Sequence, residues 1–359
     1  MSESAAKSDM EEVGKVLGSP ASAADWVKAE SALSHFNGTL ALIEDAQSKP
    51  AGGFLTNPVI KGTSQEALQE YTASAQKHYQ QLHGLRDATR LLCAKALLSA
   101  REGRTQDVVR YTRSALNVNN AFGSDSLISY LINVAITNIT LANMRQALSY
   151  CQLNDTELRQ LDDIFSQVNM SDLYRHAIEG ERVQFLLQNY EFRRAGMAMP
   201  PSSSGDTLAY LDFVSRHLQC INMSYSEALS KRLVGPRAAD NIPFYAILTK
   251  ITAPVLVRTA GARYKNEAEI ACGRMFLALK AYKARFGNYP LTLSELKSSM
   301  DWKLPTDPFN GKDMKYKRIG SGFVVYSVGY DLKDDNGTAL QSQNETDEPR
   351  GDIVWKITQ

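Results

Sequence analysis

Past Phe286 the chain changes from helical spacing to a fixed order of turns, short strands and acids. Gly287-Asn288-Tyr289-Pro290 stops a helix, and Leu304-Pro305-Thr306-Asp307-Pro308-Phe309 makes a corner. Tyr326-Ser327-Val328-Gly329-Tyr330-Asp331 ends one strand, and Gly351-Asp352-Ile353-Val354-Trp355 opens another. Pro lacks a backbone donor and Gly tolerates positive φ, so these positions admit turns and exclude continued helix. Between them, Met314 to Arg318 and Gly322 to Ser327 read as a hairpin turning over Ile319-Gly320-Ser321, and Asp352 to Ile357 as a third strand. A short helix starts at Thr292. This order requires a helix followed by a small antiparallel sheet.

These motifs resemble the globular end of the major pseudopilin of type II secretion systems. That family has a helix ending in G-x-Y-P, an L-P-x-D-P-[WF] corner, an S-x-G-x-D strand end and an acidic loop closing on D-I-x-W. The resemblance covers about the final third of the chain. It implies a pseudopilin-like domain over residues 241–359, with a long helix at 242–286 and a sheet at about 312–358. It also implies calcium held between the residues after S-x-G-x-D and an acidic pair before I-x-W. Carried over by position, Asp331 and Asp352 match, Gly351 stands where the first acid of the pair belongs, and Asp334 or Asp335 supplies the replacement. The expected metal residues are therefore Asp331, Asp334, Asp335 and Asp352, with Glu345, Asp347 and Glu348 nearby. Several hard oxygens on a flexible loop suit calcium, although Lys333 breaks the EF-hand pattern.

Residues 1–240 read as a separate all-helical domain, which makes the chain α+β overall. Trp26, Ala29, Leu33, Phe36 and Leu40 share one helical face, and the pattern spans Ala21 to about Glu44. Pro and Gly make a loop at 48–53 and again at Asn57-Pro58. Helix resumes at Ser64, and residues 66–119 form two or three helices. Leu91 to Ala100, the turn Glu102-Gly103-Arg104 and Asp107 to Val118 resemble one tetratricopeptide-type hairpin, small Ala94 and Ala96 allowing close approach. Ser124 to Tyr150 carries too many apolar residues for one stripe, which places it centrally. Asn154 caps the next helix, and another runs from Ser171 through Tyr190. Residues 197–206 form a loop. A further helix extends from Thr207 to about Leu233. Lys250 and Pro254 interrupt the apolar run Ile242 to Val257; Pro254 should kink or divide its helix, which packs on the preceding helices rather than crossing a bilayer.

Lys and Arg number 40 against 39 Asp and Glu, so no global field draws nucleic acid or an anionic membrane. Cys93, Cys151, Cys220 and Cys272 form no C-x-x-C pair and read as small buried hydrophobes, with disulfides open in an oxidising compartment. Met1 to Lys7 contains no apolar run of signal or anchor length. Pseudopilin-like proteins reach the envelope through such a segment, so the resemblance implies a signal or anchor removed upstream and a periplasmic or cell-envelope location.

On a helix His176 and Glu179 share a face, and Arg182 follows one turn later. No H-E-x-x-H, G-x-S-x-G, Walker or dinucleotide motif accompanies them. The expectation is therefore a non-enzymatic binding or scaffold protein with a protein partner. Alternatives are a subunit of a type II secretion or pilus-like assembly, and an enzyme using the His176, Glu179 and Arg182 cluster.

Overall fold

The computed structural model describes residues 3–18, 21–47, 65–118, 125–194, 203–341 and 350–358. In chain order the helices are α1 (Glu3–Gly14), α2 (Ala23–His35), α3 (Asn37–Gln47), α4 (Gln65–Arg101), α5 (Thr105–Asn117), α6 (Leu127–Tyr150), α7 (Asp155–Ser166), α8 (Met170–Arg194), α9 (Ser203–Leu218), α10 (Tyr225–Ser230), α11 (Ile247–Phe286) and α12 (Leu293–Ser299). A 3-10 turn, Gln219–Asn222, joins α9 to the segment before α10. The strands are β1 (Lys315–Ile319), β2 (Gly322–Ser327) and β3 (Ile353–Ile357), ordered β1-β2-β3 with both pairings antiparallel. The chain is mainly helical with a small antiparallel sheet, as the α+β reading requires.

Local chemistry sets many boundaries. Ser22 and Asp25 form a capping box on α2, and Asn154 and Glu157 form one on α7. Thr292 caps α12, and Gly287 ends α11 with φ +82°. Three expected helices differ. The Ala21 to Glu44 pattern splits at Phe36 into α2 and α3, yet Trp26, Ala29, Leu33, Phe36 and Leu40 are all buried. The helix expected from Thr207 to about Leu233 starts at Ser203, inside the expected loop, and stops at Leu218, where the 3-10 turn begins. The α11 helix continues through Pro254 undivided, with Pro254 exposed and Ala253 and Leu256 buried beside it. The loops at 48–53 and 57–58, Ser64 and residues 197–202 lie outside the described residues.

Two buried clusters organise the packing. One gathers side chains of α1 to α5 and takes Ile136 and Ala147 from α6. The other runs from Val109 and Leu116 of α5 through α6 to α11 and into the sheet at Phe323, Val325, Ile353 and Trp355. It draws on residues from both sides of residue 241. The α6 helix feeds both clusters, which explains why its apolar residues exceed one stripe. It is long and apolar enough to cross a membrane, but more than half of that window is buried. The four cysteines are free thiols; Cys93, Cys220 and Cys272 are buried and Cys151 is half-buried.

A buried cation holds α11 in place. Arg263 is 1% exposed. Its guanidinium donates to Ser171 Oγ of α8 at 2.6 Å, to the Ile221 and Cys220 carbonyls of the 3-10 turn at 2.9 and 3.1 Å, and to Glu267 at 3.4 Å. It lies 3.9 Å from the Tyr264 ring centroid, and the Tyr264 hydroxyl donates to the Cys220 and Met223 carbonyls. Beside it, Tyr174 and His217 are 2.6 Å apart, and His217 Nδ1 lies 3.0 Å from the Leu233 carbonyl. Burial pulls the His217 pKa down to about 4, so the ring is neutral near pH 7.

The start of α11 is held from a distance. The Asp206 carboxylate of α9 accepts the Leu248 and Thr249 N–H groups at 2.8 and 3.0 Å, and the Thr249 hydroxyl at 2.6 Å. The outer face of this half-helix is apolar: Phe244 is 87% exposed and Ile251 66%, with Ile247, Leu248 and Val255 also exposed.

Removing one partner of a buried ion pair typically costs about 3 to 5 kcal/mol. Arg263→Leu should therefore lower unfolding free energy by about that amount in urea titration. The double change Arg263→Leu with Glu267→Leu should recover part of the loss; a single variant as stable as the parent would overturn the role given to Arg263.

Candidate functional site

The corner Leu304 to Phe309 is closed by one acid. Asp307 is buried, and its carboxylate accepts the Ser327 hydroxyl at 2.7 Å, the Phe309 N–H at 2.9 Å and the Val328 N–H at 3.0 Å. The D-P-F and S-V-G motifs are thus two sides of one bonded junction. The corner is also bonded to the helical body, since the Tyr225 and Ser226 N–H groups donate to the Pro308 and Phe309 carbonyls. Phe309 sits among Tyr225, Tyr264 and Tyr330 at ring distances of 5.0 to 6.1 Å.

The acidic loop follows β2. Buried Asp352 accepts the Gly337 N–H at 2.7 Å and the Asp335 N–H at 3.5 Å, which brings the two loop ends together. Asp334 accepts the Tyr326 hydroxyl at 2.8 Å and lies 3.0 Å from the Lys315 ammonium. Asp331 accepts the Lys333 N–H of its own turn at 3.1 Å. Asp331, Asp334 and Asp352 each therefore serve a protein donor, and a cation at Asp352 competes with two backbone N–H groups. Among the described residues no group of three or more His, Cys, Asp and Glu is placed to hold a metal ion. Glu345, Asp347 and Glu348 lie outside the described residues. Gly351 has φ +105°, and a Cβ there would meet the Ala339 and Thr338 carbonyl oxygens at 3.0 Å. An acidic side chain at this position would be strained.

On α8, His176 is exposed and borders a cavity of about 610 Å³ with Arg113, Asp163 and Asp172. Glu179 and Arg182 do not line it. The neighbouring acid takes a structural role instead: Glu181 accepts the Leu127 N–H at 2.9 Å and so helps cap α6.

The largest described cavity lies elsewhere. A groove of about 910 Å³ runs between α6, α11 and β3, and a second cavity of about 540 Å³ adjoins it, with Arg145, Ser149 and Tyr150 lining both. Helical spacing builds two walls. Asn138, Ala142, Arg145 and Ser149 follow steps of four, three and four on α6, while Lys265, Glu269, Phe276 and Lys280 follow four, seven and four on α11. Trp355 and Lys356 of β3 complete the groove. Small residues permit the close crossing beneath it, since a Cβ at Gly273 would meet the Leu141 side chain at 2.9 Å and Trp355 at 3.4 Å.

The groove is apolar at its base and cationic along its sides. Phe276 and Trp355 meet edge to face at 5.6 Å. Arg145 donates to the Lys356 carbonyl at 3.0 Å and lies 5.3 Å from the Trp355 ring centroid. Glu269, the one acid in the lining, accepts the Trp355 indole N–H at 2.7 Å. Lys265, Lys280 and Lys356 form no ion pair among the described residues. Sequence reasoning missed this site because its cations come from three elements far apart in the chain, Arg145 on α6, Lys265 and Lys280 on α11 and Lys356 on β3. The spacing of Arg145 within α6 and of Lys265 and Lys280 within α11 is visible, but nothing local says that the two stripes face each other.

Comparison with protein-family models, with curated proteins and with solved structures finds no match in any of the three.

Burial, reinforced by the charges of Asp335 and Asp334, pushes the Asp352 carboxyl up to about 6 from its ordinary 3.8, against the lowering by its two N–H donors. The folded protein therefore keeps this proton where the unfolded chain releases it, and stability from this group falls as pH rises through that window. Asp352→Asn has no such proton to lose. Urea titrations should show the variant gaining on the parent from about pH 4 to about pH 6; a constant difference across that window would overturn the assignment.

Proposed function

We propose that this is a non-enzymatic binding or scaffold protein that holds an extended segment of a protein partner in the groove between α6, α11 and β3. The observation that carries this reading is the pair of adjoining cavities, with an apolar base and cationic sides whose lysines have no ion-pair partners among the described residues. Sites for ligands are commonly concave and apolar with a few polar groups that orient the occupant. Among the described residues β3 pairs with β2 alone within the sheet, so the groove runs beside a sheet edge that can receive an extended chain. The resemblance of the last third to pseudopilins adds a setting, the cell envelope and its protein assemblies, in which a rigid module of this kind presents partners.

A separate observation favours a second reading, self-assembly through the apolar end. Phe244, in the turn before α11, and Ile247, Ile251 and Val255 of α11 are exposed, with Val183 and Tyr190 on α8 and Leu208 on α9, and α11 packs against both those helices. Two copies related by a two-fold axis would bury these faces against each other.

Two measurements separate the readings. Against an array of short peptides of varied sequence, the intact protein should bind a subset, and Ala142→Trp, which fills the groove from an exposed position, should abolish that binding at unchanged thermal midpoint. Binding that survives the substitution, or no binding at all, would overturn the groove. In analytical ultracentrifugation, Ile251→Glu should convert a dimer to monomer if the apolar end is self-associating; a parent protein that is monomeric throughout removes the second reading.

A further inference from the structure

We infer that the far end of this groove, between the C-terminal turn of α6 and the end of β3, is a carboxylate-binding subsite formed by Arg145, Lys280 and Lys356, which selects partner segments carrying acidic side chains. The inference rests on the groove reading above and specifies its ligand.

Three cations line the cavity of about 540 Å³, and among the described residues no acid does. Each has a partial reason to be there, and none is neutralised. Lys280 is half-buried and lies 3.4 Å from the Leu148 carbonyl, an α6 C-terminal acceptor that suits a positive charge. A carbonyl satisfies one of its three donors; it does not cancel the charge. Arg145 uses one guanidinium nitrogen on the Lys356 carbonyl, which leaves the rest of its planar fork available. Lys356 is exposed, and its backbone carbonyl, rather than its ammonium, is what Arg145 engages. Burial and the neighbouring charge of Lys283 lower the Lys280 pKa, which marks an ammonium lacking a counter-charge.

An entering carboxylate supplies that charge. It relieves the repulsion among the three cations, and its two oxygens match the open edge of the Arg145 fork. Phosphate shares this chemistry. The adjacency of the two cavities favours a carboxylate on a peptide, because Arg145, Ser149 and Tyr150 also border the larger groove with its Trp355 base. An occupant therefore meets apolar surface and cations in succession along its length. A free oxyanion uses only one end. The near-balanced charge of the whole chain provides no broad field for a polyanion, so the selectivity is local to these three residues.

The test uses the intact protein and two labelled octapeptides, one alternating Leu with Glu and the other Leu with Gln, in fluorescence anisotropy titrations. The Glu peptide should bind at least about tenfold more tightly, the scale of one charge-assisted hydrogen bond. Lys280→Met should reduce Glu-peptide affinity to the Gln-peptide level while leaving Gln-peptide affinity unchanged. Lys356→Ala, at an exposed position, should move it in the same direction and guards against misfolding of the Lys280 variant. Equal affinity of the parent for both peptides overturns the subsite and leaves the groove standing. Failure of both peptides to bind overturns the inference and the groove reading together. Inorganic phosphate that displaces the Glu peptide at concentrations matching the peptide's own affinity identifies a free oxyanion site, and overturns the assignment to acidic peptide.

Discussion

The fold turns on Arg263. A guanidinium in the interior is tolerated only where its charge and donors find partners, and α11 has to lie against α8 and the 3-10 turn for Glu267, Ser171 and the Cys220 and Ile221 carbonyls to supply them. That requirement sets the position of the longest helix in the chain. Apolar packing alone fixes a helix loosely along its axis, since one turn of Leu and Ala resembles the next. A buried cation with directed donors distinguishes one register from its neighbours. The same helix carries Tyr264, Glu269, Phe276 and Lys280, so the register chosen at Arg263 also places the aromatic cluster around Phe309 and one wall of the groove.

The sheet is attached to this frame by a few polar bolts. Asp307 joins the corner to the end of β2, and the corner's carbonyls accept the first N–H groups of α10. Tyr330 donates to the Gly261 carbonyl at 2.9 Å, and Trp355 donates to Glu269. These bonds hold β3 close to α6, where Arg145 reaches the Lys356 carbonyl. The groove is the space left between three elements whose separation is set elsewhere. Its cations remain available because the acids of this region are already committed: Asp307 to the corner, Asp352 to its loop and Glu269 to the indole.

Much of the local structure was legible in the residues. The Asn154 cap, the Gly103 turn, the Thr292 start, the Gly287 stop and all three strands lie where the pattern puts them. Phe36 and Leu218 show where legibility ended. At both, apolar spacing continues across a break in the helix, because spacing records which face is buried and not whether the backbone is continuous. Pro254 shows the converse, a strong breaker overridden by burial of its neighbours. The acidic loop was visible as a cluster of carboxylates. Its arrangement was not, because each carboxylate's partner, such as Gly337 for Asp352 or Tyr326 for Asp334, is decided by how the loop turns.

By itself the sequence determined the elements and their ends, since caps, turns and strand alternation act over two to four residues and can be read in any short window. It also determined that a helix, a corner and a small sheet follow one another in the last third. Only the tertiary structure decided that Arg263 is interior, that α6 serves two cores, and that Arg145, Lys280 and Lys356 share one cavity. The reason is physical: those juxtapositions arise from the mutual packing of segments far apart in the chain, whose distance and rotation depend on every side chain buried between them.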